Sequence, residues 1–139
     1  MPGEVVVDAS VAAKLYFVEP GTPEAIVELG GEVSLLAPDL LFIEMASIAA
    51  KVLRRGETSA DQAAAAVASV AALLDEAVPV ADLAQRAFEM ASQYGFSAYD
   101  ASYLALAEQR GLRVLTADAR LVRRAQDQGL AHLVRLLSP

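Results

Sequence analysis

The sequence lacks cysteine and tryptophan and contains a single histidine, His132, among its 139 residues. Without cysteine, disulfides, zinc–thiolate sites and thiol nucleophiles are excluded. A serine-hydrolase triad would depend on His132, and no Gly-x-Ser-x-Gly elbow accompanies it. Long apolar runs are missing too. The longest, Ala63 to Leu74, is bounded by Asp61 and Asp75 and is too short to span a bilayer. The opening Met-Pro-Gly-Glu-Val-Val-Val-Asp has no basic start ahead of an apolar signal core, so the expected location is the cytoplasm. No repeat, low-complexity linker or shift of composition divides the chain, and its length suits one domain, residues 1–139.

What is present is apolar and acidic. Hydrophobic residues make up 55% of the chain and the mean hydropathy is +0.40, enough to fill a core and leave apolar surface for an oligomer or partner. The net charge of -7 argues against a generally nucleic-acid-binding surface, because phosphate contacts need Lys or Arg. The charge is unevenly placed, however. Residues 110–139 carry six arginines, at 110, 113, 120, 123, 124 and 135, against Asp118 and Asp127, a local surplus of four positive charges. Arg54 and Arg55 make a second basic spot.

Strands and helices alternate along the chain. Val5–Val7 is a short apolar run ending at Asp8, as expected of a buried parallel strand. Ser10 to Phe17 has a helical pattern that Pro20-Gly21 breaks, and Thr22-Pro23-Glu24 opens another helix that stops at Gly30-Gly31. Val33 to Ala37 predicts a second strand closed by Pro38, followed by a long helix from about Asp39 to Arg55. Ser59 to Gln62 has capping-box spacing before an Ala-rich helix to about Leu74. Ala77 to Val80 predicts a short strand, Asp82 to Tyr94 a helix, and Ser97 to Asp100 a second capping box opening a helix to Arg110. Arg113 to Thr116 predicts a strand, Asp118 caps a helix to about Gln128, and His132 to Leu136 closes with a short strand. Such alternation predicts an α/β fold with a mainly parallel sheet covered on both faces.

Four acids stand out, each with two readings. Asp8 follows the first strand, where ligands gather in open α/β sheets, yet it also suits a helix N-cap. Asp118, after the Val114–Thr116 strand, fits an N-cap even better. Asp100 would serve the helix dipole of its capping box, although Phe96, Tyr99, Tyr103 and Leu104 make an apolar setting that a metal ligand explains better. Glu44 lies one turn into an apolar helix start. With Ser47 and Lys51 it forms a stripe that, for Glu44 taken alone, an exposed polar edge explains better. Together the four could meet at one edge of the sheet, where they would repel one another unless a cation lay between them. Oxygen-only ligation without His or Cys suits Mg²⁺ or Mn²⁺, and phosphodiester hydrolysis is the natural chemistry.

These same segments resemble the motifs of PIN domains. Val5-Val-Val-Asp8-Ala-Ser10 is similar to the opening motif, Pro38 to Glu44 to the helix bearing the second acid, Ser97 to Ala107 to the third, and Leu115 to Asp118 to the fourth. The resemblance covers essentially the whole chain. It implies a PIN-like three-layer α/β/α fold with a small, mainly parallel sheet, and a Mg²⁺- or Mn²⁺-dependent endoribonuclease acting on RNA. At this size it implies a VapC-like toxin of a VapBC toxin–antitoxin pair. By the same resemblance Asp8, Glu44, Asp100 and Asp118 are the metal-binding catalytic acids, with Asp8 and Asp100 as direct ligands. Ser10 and Thr116 match small hydroxyl positions that orient carboxylates, or else cap turns. The resemblance further implies a homodimer neutralised by a VapB-like antitoxin whose C-terminal segment lies over the acids. Ala63 to Ala72, rich in small side chains, suits a close helix–helix surface or packing within the chain. Tyr103 suits packing rather than reaction. Arg120, Arg123 and Arg124 suit RNA binding or a solvated helix face.

Two other readings compete. One is a PIN-type nuclease acting in RNA processing or on DNA. The other is a non-catalytic α/β signalling or binding domain, such as a receiver. A receiver needs an acidic pair after its first strand and a late lysine, whereas this chain has one acid there and only Lys14 and Lys51. A haloacid-dehalogenase-type phosphatase would need Asp-x-Asp where Asp8-Ala9-Ser10 stands.

Overall fold

The computed structural model describes residues 3–138. Among these, five strands form one sheet: β1 (Glu4–Val7), β2 (Ser34–Pro38), β3 (Glu76–Val78), β4 (Val114–Thr116) and β5 (Val134–Leu136). Their order is β3-β2-β1-β4-β5, and every neighbouring pair is parallel. The helices between them are α1 (Ala9–Ala12), α2 (Thr22–Leu29), α3 (Leu40–Arg54), α4 (Ala60–Leu73), α5 (Val80–Tyr94), α6 (Ala98–Arg110) and α7 (Ala119–Asp127).

The continuous apolar character of the strands follows from burial on both faces. Val5–Val7, Leu35–Ala37 and Val114–Thr116 are all buried. The chain steps outward from β1 through β2 to β3, then returns to the other side of β1 for β4 and β5. Right-handed crossovers that travel in opposite directions lie on opposite faces, so the helices cover both. The reversal also makes β1 and β4 the switch point of the sheet, where the strand ends open a crevice. α6 is the central helix. Ala101 through Ala107 are buried without a break, as α6 packs between α5 and strands β1, β2 and β4.

Local differences from the expected boundaries have local causes. The helical stretch after Asp8 is a single α-turn, Ala9–Ala12, tightened into a 3-10 turn over Ala13–Leu15 before Phe17 turns into the core. The third strand ends at Val78 because Pro79 offers no N–H to a neighbouring strand. Helix α5 accordingly begins two residues earlier than its acids suggest, and Asp39 Oδ1 accepts the Val80 N–H at 3.0 Å. His132 lies in a 3-10 turn ahead of β5 rather than in the strand. The Ala-rich helix α4 buries Ala63, Ala66 and Val70 within the molecule and packs on α3.

Candidate active site

Asp8 leaves the end of β1, and Asp118 follows Thr116 at the end of β4, so both stand at the switch point. Both also cap helices, as their flanking sequence suggests. Asp8 Oδ1 accepts the Val11 N–H at 3.2 Å. Asp118 Oδ1 accepts those of Arg120 and Leu121 at 2.9 and 3.2 Å. Asp100 enters from the first turn of α6, where Ser97 Oγ accepts its N–H at 3.1 Å. Glu44 enters from the second turn of α3.

These four acids line one cavity of about 280 Å³, together with Ser10, Ser47, Lys51, Tyr103 and apolar Ala9, Ile48 and Leu121. The structure therefore brings the four acids together. It does not clasp them, since among the described residues no three His, Cys, Asp or Glu side chains form a group tight enough to hold an ion.

The small hydroxyls tie the acids to the frame. Ser10 Oγ donates to Asp8 Oδ1 at 2.5 Å and accepts the Ala117 N–H at 3.0 Å, joining the ends of β1 and β4. Thr116, fully buried, accepts the Asp118 N–H at 3.0 Å through its Oγ1. One hydrogen bond was not legible in sequence. The buried Tyr103 donates its hydroxyl to Glu44 Oε1 at 2.5 Å, linking α6 to α3 across 59 residues of chain. Tyr103 stands three residues after Asp100, hence on the same helix face, which is the one signal that could have placed it at the site.

Burial and mutual repulsion push the Asp8, Glu44 and Asp100 carboxyls upward. The Asp8 carboxyl is pushed up to about 6 by burial, against the pull of Ser10, Thr116 and the Val11 N–H, with Glu44 adding repulsion. Glu44 is raised by burial and by Asp100, with the Tyr103 hydroxyl opposing. Asp100 is raised by burial and by Asp118, while Arg124 and Ser97 pull it down. The Tyr103 hydroxyl is held far above its usual range by burial and by the Glu44 charge, so it remains a donor.

The arginines of α7 divide. Arg124 donates to the Gly95 carbonyl at 2.6 Å and sits 5.4 Å from the Phe96 ring centroid, so it straps α7 to the turn before Asp100. Arg120 and Arg123 are exposed.

An open parallel α/β sheet with acids converging at its switch point defines the class: a three-layer protein built to hold charge at one edge. The PIN domain profile matches residues 5–127, and the chain belongs to the PIN-domain family. It is 34% identical over 121 residues to ribonuclease VapC3 of Pyrobaculum aerophilum, covering 85% of this chain and 92% of that protein. Among solved structures it resembles the PAE2754 protein of P. aerophilum, with 26% identity and a TM-score of 0.63 over 96% of this chain and 98% of that one. The fold is shared with Mycobacterium tuberculosis VapC20, a toxin that cleaves the sarcin–ricin loop, at 20% identity and a TM-score of 0.67, covering 86% of this chain and 93% of the toxin. It is also shared with a chain of a Klebsiella pneumoniae toxin–antitoxin complex, at 13% identity and a TM-score of 0.56, covering 85% and 89% of the two chains.

Proposed function

We propose that this protein is a metal-dependent endoribonuclease, the toxin of a toxin–antitoxin pair, with Asp8, Glu44, Asp100 and Asp118 as its catalytic acids. The observation that carries this reading is the meeting of four carboxylates in one cavity at the switch point, in a chain 34% identical to a VapC ribonuclease. Residues 1–139 are read as a single PIN-like domain acting in the cytoplasm.

The donor set fits Mg²⁺ or Mn²⁺. All the polar groups of the cavity other than Lys51 offer oxygen, and three of the acids resist ionisation because burial and neighbouring charge disfavour it. A cation would relieve that repulsion. Such an ion keeps several of its waters and takes one or two carboxylates. When bound, such an ion supplies Lewis-acid polarisation of water and of phosphate oxygens.

The residues prepare that chemistry. Ser10 and Thr116 hold Asp8 and the Asp118 backbone at the strand ends. Tyr103 fixes Glu44 against the core. Arg120 and Arg123 present positive charge on α7 beside Asp118 and are read as contacts to RNA phosphate. Arg124, already engaged with Gly95 and Phe96, is read as acting through its strap.

Partners follow from two surfaces. The acidic cavity would be covered by a basic segment of a cognate VapB-like antitoxin. A homodimer suits the apolar groove of about 420 Å³ formed by Leu40, Val80, Ala84, Phe88 and Tyr99, where Phe88 and Tyr99 are 65% and 64% exposed. The test is cleavage of single-stranded RNA by purified protein with Mn²⁺ and with EDTA. Cleavage with Mn²⁺ that EDTA stops is expected; cleavage unaffected by EDTA, or none at all, contradicts the proposal.

A further inference from the structure

The stripe of Glu44, Ser47 and Lys51 on α3 runs from a half-buried acid to an exposed serine and lysine. All three residues line the carboxylate cavity. Residues three and four apart lie one above another on a helix, so the stripe forms one continuous wall. At 1.5 Å per residue, Lys51 sits about 10 Å further along the axis than Glu44. Long helical side chains lean back toward the helix N-terminus, the direction in which Glu44 lies from Lys51.

Lys51 is the only cation among the described residues that line this cavity. It is exposed. Among the described residues it enters no ion pair, whereas Lys14, Arg86, Arg110 and Arg135 are each paired with a glutamate. A cation standing at the rim of a four-carboxylate cavity, yet bonded to none of the four, is available to an incoming anion. RNA entering this cavity meets four carboxyl groups, and its backbone needs positive charge beyond what lies at the centre.

We infer that Lys51 is a substrate-binding residue whose ammonium contacts a phosphate oxygen of the RNA strand at the α3 rim of the cavity. The inference rests on the ribonuclease reading and adds the direction from which the strand is held. Lysine serves here as a point charge, so arginine can replace it and a neutral side chain cannot.

The experiment is steady-state cleavage of a fluorogenic single-stranded RNA of mixed sequence by the full-length protein with Mn²⁺, at several salt concentrations. Wild type is compared with Lys51→Met, Lys51→Arg and Arg113→Gln, the last altering a residue at the opposite end of the sheet. Lys51→Met is expected to raise KM about tenfold, the scale of one charge-assisted hydrogen bond, with kcat and melting temperature held. Its log KM against log salt should be shallower by about 0.7, the slope of one neutralised phosphate on a single strand. Lys51→Arg and Arg113→Gln should behave as wild type. An unchanged KM and salt slope in Lys51→Met, or an equal rise of KM in Lys51→Arg, would overturn the inference while leaving the ribonuclease reading intact. No cleavage by the wild type would overturn that reading, and this inference with it.

Discussion

The two ends of the sheet make opposite use of charge. At the amino ends of β1 and β4 lies the larger cavity, about 590 Å³, lined by Glu4, Glu28, Glu108, Arg113, His132 and Arg135 among others. There acids meet cations. Arg135 grips Glu28 through two hydrogen bonds of 2.9 and 3.0 Å, and Arg86 holds Glu108 at 2.7 and 3.0 Å. Both glutamates are accordingly held below the usual carboxylate range by their arginines. At the carboxyl ends the cavity is about half as large, and Asp8, Glu44 and Asp100 are pushed upward. Cavity size therefore does not mark the candidate site. Acids that enter no ion pair among the described residues mark it, because poorly compensated charge is tolerated only where something else will neutralise it.

The sharpest way to break this comparison is to remove acids from each end in turn. Asp8→Asn or Asp100→Asn is expected to lower Mn²⁺-dependent RNA cleavage by at least about 100-fold, the scale of losing one preorganised charge in an active site. Melting of the metal-free variants should be unchanged or raised, since each substitution relieves repulsion. Glu28→Gln and Glu108→Gln should leave cleavage as it is. Undiminished cleavage by Asp100→Asn would remove the carboxyl-end cavity from the mechanism.

A smaller effect is expected from Tyr103→Phe, which deletes the hydroxyl that holds Glu44. Activity should fall about 10-fold or more, as when a group orienting a ligand is removed, and stability by about 1 kcal/mol. Matched wild-type and Tyr103→Phe kinetics with circular-dichroism melts would decide it, and wild-type kinetics in the variant would mean Glu44 needs no anchor.

Acidity should separate the two ends without mutation. The Asp8 carboxyl is raised from an unfolded value near 3.8 to about 6 in the fold, so the native state binds the proton more tightly than the unfolded chain. Stability from this group is full below about 3.8 and is lost as pH rises through about 6. The metal-free protein should therefore gain melting temperature between pH 6.5 and about pH 4.5, before the lowered glutamates at the other end begin to protonate and lose their pairing. Asp8→Asn should flatten that rise. A melting temperature that falls steadily over this window would show that Asp8 is ionised without strain.

The smallest expected effect belongs to α7. Arg120→Ala with Arg123→Ala should weaken RNA binding and shallow its salt dependence by about 0.7 for each phosphate no longer neutralised, leaving the melt unchanged. An unaltered salt slope would assign these arginines to solvent.

How much of the fold and site is readable in the sequence depends on whether the cause is local. Asp8 and Asp118 announce themselves because a buried strand must end and a helix must begin, and the same turn that caps the helix aims the carboxylate at the strand end. Asp100 is placed by its capping box. The end of β3 and the start of α5 lie two residues from where the local pattern puts them, because Pro79 and Asp39, not the nearby acids, set that boundary. Glu44, Ser47 and Lys51 could not be assigned to solvent or cavity from α3 alone. Which face a polar stripe meets is decided by how α6 packs, and the bond that fixes Glu44 comes from Tyr103 on that distant helix.

The most direct measurement is a crystal structure with Mn²⁺ soaked in and the ion located by its anomalous signal. An ion in the cavity of Asp8, Glu44, Asp100 and Asp118, contacted by Asp8 or Asp100, is the predicted result. An ion held instead by Glu4, Glu28 or Glu108 at the opposite end, or none at either end at millimolar Mn²⁺, would contradict it.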